Sequence, residues 1–342
     1  MSGSAAPTRP IRPDEPIAVT ICTKNRPAYL AALLATLVNQ SYPHWMLVLN
    51  DQSESPVTAQ DSIKDVLQLL RTRGHQVLDF RSSEPRTRYQ QALEAVPSGI
   101  EFVTRVDDDV LLTPRFLEQI LQPYALLPQL RLAAVGPCLP EPHMRPLPLE
   151  SRLADPAWRP RIDRPTWRLQ GHAYDASEIL EVESLWGSAM CYRRSAAMEV
   201  GGWTVVGQSE QIFREDSDMS ARLLAAGYRL VVSTAALGWH LAAPSGGSRE
   251  YRKSPSGNVL VTDPRAWQED DRLFQERVAA LLASGSPPRA TQRYRIADLE
   301  AGRIAARPLV SRRGQVLRLG GKMVYRALNP LRDAVRFVRD GT

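Results

Sequence analysis

The chain has 342 residues, a formal net charge of +6 and 43% hydrophobic residues. This composition is typical of a globular protein, and the apolar runs are shorter than the roughly 18 residues of a membrane-spanning helix. The excess charge lies at the C-terminal end, where 13 Lys and Arg from Arg289 onward stand against four acidic residues. The basic balance therefore describes the tail, and no binding motif in the chain indicates a nucleic-acid partner.

Residues 1–16 are polar and rich in proline, and we expect a disordered lead with no secretory signal. The three cysteines lie far apart and include no Cys-x-x-Cys pair. Such cysteines are typical of reduced thiols, so we expect a cytoplasmic protein.

From residue 17 onward, short apolar runs rich in β-branched residues alternate with segments of helical period. The predicted strands are 17–23, 46–50, 76–80, the acidic strand from 102, 184–190 and 228–233. The predicted helices are 29–38, 60–71, 86–96, 193–200 and 214–226. This alternation predicts an α/β fold with a doubly wound, mostly parallel sheet flanked by helices.

Residues 138–180 interrupt this alternation. Eight prolines fall between residues 137 and 165, and a long irregular segment in a compact domain is usually a lid, a binding loop or disordered. The predicted organisation is then a lead at 1–16, a main domain at 17–260 that carries this insertion, and a helical, basic C-terminal extension at 261–342.

Three consecutive carboxylates, Asp107, Asp108 and Asp109, follow the apolar strand that begins at Phe102. Open α/β sheets bind their ligands at the carboxyl ends of strands. Adjacent carboxylates repel one another unless a cation screens them, and a divalent metal does this best. A solvated acidic turn is the alternative for the triplet taken alone.

The common nucleotide motifs are missing from the sequence. No G-x-G-x-x-G follows the first strand, and no G-x-x-x-x-G-K-[ST] occurs. A dinucleotide oxidoreductase and a P-loop NTPase are therefore disfavoured.

An ordered set of short motifs surrounds the acidic strand. They are Thr23-Lys24-Asn25-Arg26, Asp51, Thr87-Arg88-Tyr89, Asp107-x-Asp109, Trp186-Gly187-Ser188-Ala189, Gly201-Gly202-Trp203, Glu215-Asp216-x-Asp218, Gly227-Tyr228 and His240. In this order and spacing, over about residues 17–242, the chain resembles a GT-A-fold glycosyltransferase of family 2.

The resemblance implies a nucleotide-diphosphate sugar as donor and Mg²⁺ or Mn²⁺ as cofactor. It implies Asp109 as a metal ligand, His240 as a further ligand, and Asp107 as a ligand of the metal or the ribose. The other residues expected at the donor are Thr23, Arg26, Asp51, Arg88, Asp108, Trp186 and Gly187. The alternatives are a turn-forming role for Asp51, an exposed helix arginine at 88 and a core tryptophan at 186.

A Gly/Ser/Arg loop at 244–257 is expected to close over the bound diphosphate, with Arg249 and Arg252 as its cations. A solvated linker is the alternative for this loop.

Asp216 is the candidate general base, because an acceptor hydroxyl must lose a proton as it attacks the sugar. Glu215 is expected to orient the acceptor. The domain at 17–260 is then the catalytic domain, and its insertion at 138–180, which lies between the metal motif and the proposed base, is expected to be an acceptor-side loop. The alternative is that both acids only favour the start of a helix, where carboxylates are stabilised by the helix dipole. The resemblance implies inversion, with a retaining enzyme as the minority alternative.

Two other classes remain open at this point. A nucleotidyltransferase should carry a glycine-rich phosphate loop after the first strand, and Lys24-Asn25-Arg26-Pro27 contains no glycine. A non-catalytic binding protein of the same fold should have lost the acids, which are present.

Residues 312–339 form a basic amphipathic pattern, with apolar and cationic residues on opposite sides of a helix. Such a helix can lie on an anionic membrane surface and bring the site to a lipid-linked rather than a free saccharide acceptor. Alternatively, its apolar side packs on the catalytic domain or on a second subunit of a homodimer.

Overall fold

The computed structural model describes residues 11–142, 149, 177–207, 214–243, 246–247, 251–253, 259–261, 264–283 and 289–309. The strands are β1 Ile17–Thr23, β2 Trp45–Asp51, β3 Val77–Arg81, β4 Phe102–Asp107, β5 Val110–Leu112, β6 Leu132–Cys138, β7 Glu178–Val182, β8 Ala189–Arg193, β9 Arg229–His240, β10 Tyr251–Lys253, β11 Val259–Val261, β12 Gln292–Arg295 and β13 Arg307–Pro308. The α-helices are α1 Pro27–Val38, α2 Asp61–Thr72, α3 Arg88–Glu94, α4 Phe116–Leu126, α5 Arg194–Glu199, α6 Glu215–Ala225, α7 Pro264–Ala283 and α8 Ile296–Glu300.

Most of these strands form one sheet in the order β13-β12-β7-β9-β6-β8-β4-β1-β2-β3, with β5 paired to β9. The strands β3, β2, β1 and β4 are parallel. The strand β8 runs antiparallel between β4 and β6, and β6 and β9 are parallel. Most strands therefore point in one direction, as predicted, and their carboxyl ends meet at one edge of the sheet.

That edge places separate sequence motifs side by side. In the register of the parallel strands, Thr23 of β1 lies opposite Asp51 of β2, and Cys22 lies opposite Asp107 of β4. The strand β9 reaches the same edge at His240, which pairs with Val110 of β5.

The central strands of the sheet are buried on both faces because an apolar layer covers each face. In β1, Ile17, Val19 and Ile21 face one layer and Ala18 faces the other. The helices α1, α2 and α4 contribute to the first layer, and α3, α5, α6 and α7 to the second. This alternation is the expected result of the side-chain period of two in a strand.

The structure corrects the sequence interpretation around the insertion. The strand β7 lies partly within 138–180, and the strand predicted at 184–190 begins only at Ala189. The strand β7 was missed because its glutamates do not look like core residues. They are buried because they pair with arginines distant in sequence: Glu181 pairs with Arg229 and Glu178 with Arg307.

The extension after residue 260 begins with the helix α7 and then adds β12 and β13 to the edge of the main sheet. It is therefore mixed rather than wholly helical where it is described. Residues 312–339 and most of 138–180 lie outside the described residues. No helix in the described part combines the length and apolar character that a membrane span requires.

Candidate active site

The turn after β1 binds the acidic triplet directly. Thr23 Oγ1 donates a hydrogen bond of 2.8 Å to Asp108 Oδ2. Arg26 Nη1 lies 3.1 Å from Asp108 Oδ1 and 3.3 Å from Asp109 Oδ2. Pro27 starts α1 at this point, so the rigid first turn of the helix holds Arg26 over the two acids.

Asp108 is the most deeply held member of this group. Burial raises the pKa of its carboxyl to about 7, the positive charge of Arg26 opposes that rise, and Asp109 adds to it. Its two oxygens face Thr23 and Arg26. In this structure Asp108 therefore binds the turn that follows β1 through both of its carboxylate oxygens.

Asp109 and His240 face each other across the edge of the sheet. His240 Nε2 lies 3.5 Å from Asp109 Oδ1, while the N–H of Ala243 donates to Asp109 Oδ2 at 2.9 Å. The second carboxylate oxygen is thereby held, and the first points toward the imidazole. An oxygen and a nitrogen ligand are thus presented to one small volume.

This pair fits a divalent ion of a particular kind. Among the described residues, no group of three His, Cys, Asp or Glu side chains is arranged to hold a metal. Mg²⁺ is commonly bound through one or two carboxylates and completed by substrate phosphates and water. Asp109 suits that arrangement, with His240 beside it, and the described residues do not assemble a three-ligand set with Asp107.

Asp107 instead belongs to a buried ion-pair group around Arg105. Arg105 Nη2 lies 3.3 Å from Asp107 Oδ1 and 3.2 Å from Glu215 Oε1. Its guanidinium carbon lies 3.4 Å from the ring centroid of Tyr89. Burial lowers the pKa of Arg105, but Tyr89 and the carboxylates outweigh it and raise that pKa above its ordinary value.

Sequence reasoning missed Arg105, although a signal was present. It is the one charged residue within the run Phe102–Val106, and an unpaired charge in a buried strand is costly. A charge in that position predicts partners from another element, and α6 supplies one.

Asp216 lies in the first turn of α6 with both oxygens engaged. The N–H of Gly187 donates to Oδ2 at 2.8 Å, and the N–H of Ser217 donates to Oδ1 at 2.6 Å. A Cβ atom on Gly187 would lie 3.1 Å from both Arg105 Nη2 and the Cβ of Asp216. Glycine at 187 therefore allows the strand connection, the arginine and the carboxylate to pack together.

Asp51 and Arg88 lie close to the predicted donor side. Asp51 accepts hydrogen bonds from the N–H groups of Ser53 at 2.9 Å and Val57 at 2.8 Å, which is the turn-forming arrangement. Arg88 is buried, so it is not an exposed helix arginine, and its guanidinium lies 4.5 Å from the Tyr89 ring.

Family models match two parts of the chain. The model described as glycosyl transferase family 2 matches residues 18–131, and the model described as glycosyl transferase family group 2 matches 151–256. The two matches together span well over half of the chain and include the acidic triplet, Asp216 and His240.

The chain belongs to the family 2 glycosyltransferases.

A solved structure agrees with the GT-A fold of this glycosyltransferase. Residues 1–349 of S. aureus TarS in complex with UDP-GlcNAc match with a TM-score of 0.51 and 15% identity, over 80% of this chain and 68% of that one. S. aureus TarS matches at 18% identity and a TM-score of 0.45 over 67% of this chain. The match covers only 37% of the TarS chain. Mannosyltransferase PcManGT from Pyrobaculum calidifontis, solved with GDP-Man and Mn²⁺, matches at 15% identity and a TM-score of 0.44, over 87% of this chain and 81% of that one. No curated protein matches the sequence.

Membership of this family removes the nucleotidyltransferase alternative.

The remaining predicted residues of the glycosyltransferase lie at the border of the site. The half-buried Trp186 packs its ring edge-on against His240, with centroids 4.9 Å apart, so it contacts both the core and the site. Gly247 donates its N–H to the carbonyl oxygen of Lys24 at 2.7 Å, which places the start of the 244–257 loop on the first turn. Arg249 and the side chain of Arg252 lie outside the described residues.

Proposed function

We propose that this glycosyltransferase moves a sugar from a nucleotide-diphosphate donor to an acceptor hydroxyl with inversion and with dependence on a divalent metal. One observation carries the proposal: Arg105 bridges Asp107, beside the proposed metal ligand Asp109, to Glu215, beside the candidate base Asp216. The donor side and the acceptor side are thereby bonded into one buried network.

On the donor side, Asp109 and His240 would hold the metal, and Asp107 would bind the ribose or a water of the metal shell. When bound, the ion neutralises charge on the departing diphosphate. Arg26 already lies beside Asp109, and it would add a second positive charge for the phosphate oxygens. Thr23 and Asp51 line the neighbouring strand ends, where the nucleoside would lie.

On the acceptor side, Asp216 would take the proton of the acceptor hydroxyl as its oxygen attacks the anomeric carbon. The new carbon–oxygen bond forms as the bond to the diphosphate breaks, and the departing diphosphate leaves from the opposite face. The two backbone N–H donors orient the carboxylate, and Glu215, held by Arg105, would orient the acceptor.

The acceptor is proposed to be a saccharide or a lipid-linked saccharide of cell-surface polysaccharide or glycolipid synthesis. The amphipathic pattern at 312–339 supports a cytoplasmic enzyme attached to an anionic membrane, and the insertion at 138–180 would contact the acceptor. A homodimer formed through the apolar side of the tail is the alternative arrangement.

Donor binding tests the proposal first. Thermal unfolding is measured with UDP-, GDP- and dTDP-sugars, with and without MnCl₂, starting with UDP-GlcNAc because TarS of the same fold is solved with it. We expect one nucleotide class to raise Tm only with metal, and Asp109→Ala to abolish that rise. Asp65→Ala, an exposed acid on α2, is the matched control and should behave as wild type. A rise in Tm that survives in Asp109→Ala would overturn the metal assignment.

Transfer is then followed by release of nucleoside diphosphate and by the anomeric configuration of the product. Inversion with Mn²⁺ is the expected result. A protein that binds donor but neither hydrolyses nor transfers it would instead be a binding protein of the same fold.

A further inference from the structure

The helix α7 lies beyond the family match, which ends at residue 256, yet it contacts the segment that carries the candidate base. Arg214, the residue immediately before Glu215 and Asp216, has a φ of +69°. This left-handed conformation is unfavourable for a residue with a side chain, and it persists only where the surroundings enforce it. Strained residues of this kind concentrate at functional sites.

Asp271 of α7 binds the side chain of Arg214. Arg214 Nε donates to Asp271 Oδ1 at 2.7 Å, and Arg214 Nη2 lies 2.5 Å from the same oxygen. The guanidinium also lies 5.8 Å from the ring centroid of Phe274, which is fully buried one turn along the helix. The arginine side chain is thus held from two sides by one helix.

Asp270, the residue before Asp271 in α7, contacts Gly207, which precedes positions 208–213 as Arg214 follows them. Asp270 is buried and packs directly on Gly207, where a Cβ atom would lie 1.6 Å from Asp270 Oδ1. The carbonyl oxygen of Gly207 accepts from Arg86 Nη2 at 2.9 Å. Two consecutive aspartates therefore hold both residues that flank this segment.

A third contact reaches the first turn of α6 itself. Arg277 Nη1 donates to Asp218 Oδ1 at 2.9 Å and to Thr204 Oγ1 at 3.2 Å. The N–H of Asp218 in turn donates to the carbonyl oxygen of Arg214 at 2.8 Å, in the first backbone hydrogen bond of α6. Because Asp216 lies inside that turn, the contacts with α7 hold the backbone that carries its carboxylate.

We propose that α7 is a positioning element of the active site, in which the Asp271–Arg214 pair fixes the start of α6 and so places Asp216 against the acceptor hydroxyl. This inference rests on the proposed function, and it assigns Asp271 and Arg214 as positioning residues that touch no substrate. It gives part of the C-terminal extension a role that its sequence pattern does not indicate.

Asp271→Asn tests the pair. We expect kcat to fall by roughly tenfold to a hundredfold, because small misplacements of a catalytic group cost that much, while donor KM and nucleoside-diphosphate affinity stay within about twofold. Glu269→Gln is the matched control, since Glu269 lies on the same helix and forms an exposed ion pair with Arg272. A structural defect would instead lower donor binding together with turnover.

Charge reversal provides the rescue. Arg214→Asp places a residue that tolerates the left-handed conformation opposite Asp271 and should lose activity. Adding Asp271→Arg restores an opposite pair and should recover a large part of kcat. If the double variant is no better than Arg214→Asp alone, the pair does not position the base. An Asp271→Asn enzyme with wild-type kcat would overturn the inference outright.

Amide hydrogen exchange gives a readout that does not depend on activity. Exchange at the N–H of Asp218 should accelerate in Asp271→Asn and remain unchanged in Glu269→Gln. Unchanged exchange in Asp271→Asn would show that the Asp271–Arg214 pair does not fix the start of α6, even if no donor were found. Absence of transfer by the wild-type enzyme would refute the proposed function separately.

Discussion

Nη2 of Arg105 lies 3.2 Å from Oε1 of Glu215, so a buried arginine on the central strand β4 is ion-paired with the first residue of α6. The same nitrogen reaches Asp107 at the end of β4. A single guanidinium therefore sets the relative position of the acidic strand end and the helix that carries the candidate base.

Replacing Arg105 by Met should destabilise the protein by about 3–5 kcal/mol, because Glu215 would lose its partner while staying buried. Urea unfolding measures this loss. Arg115→Met is the control, since its pair with Glu118 is exposed to solvent and should contribute little to stability. Equal effects of the two substitutions would contradict the importance of the buried pair.

Asp216→Asn should preserve the fold and donor affinity, because asparagine has the same shape and its amide oxygen can still accept the N–H of Gly187, so only the hydrogen bond from the N–H of Ser217 is lost. Turnover should fall by about 10²–10⁴-fold, since the amide cannot take the acceptor proton. Steady-state transfer assays together with nucleotide-binding measurements separate the two effects. Wild-type turnover in this variant would show that Asp216 is not the base.

Gly187→Ala should cost about 1–3 kcal/mol of stability and lower activity, because the added methyl group would crowd Arg105 and Asp216. The matched control is Gly99→Ala, where a Cβ meets no atom within 4 Å. Thermal unfolding and transfer rates should change only for the first substitution. If both variants behave alike, close packing at Gly187 does not matter for the site.

Full-length protein should float with anionic vesicles and be released by high salt, whereas a truncation before Arg312 should remain in the soluble fraction. The expected cause is the basic amphipathic pattern of 312–339, whose cations would bind lipid phosphates. Neutral vesicles are the control. Flotation of neither protein would favour a tail that packs on the catalytic domain or on a second subunit.

The Gly/Ser/Arg loop at 244–257 should become resistant to proteolysis when nucleoside diphosphate and Mn²⁺ are added together. Gly247 already lies on the turn after β1 beside Arg26, so a described part of this loop adjoins the proposed phosphate site. Limited proteolysis followed by mass analysis locates the cut sites. Cleavage at the same rate with and without ligand would support a solvated linker.

The amino-acid sequence determined the parts of the fold that depend on near neighbours. The strand β1 and the helices α1 and α6 were predicted within two residues, because apolar periodicity and Gly227 after a helix end act locally. Gly227 has a φ of +82°, the conformation its position after α6 requires. The ordered motifs also indicated the GT-A fold.

Tertiary structure alone decided where buried charges find partners. Glu178 and Glu181 made β7 look unlike a core strand until Arg307 and Arg229 were seen beside them. Arg105 has the same property, and so has the pair between Asp271 of α7 and Arg214, the residue before α6. A charge can be buried only where an opposite charge meets it, and partners 48 to 129 residues apart in sequence leave no periodic pattern from which they can be predicted.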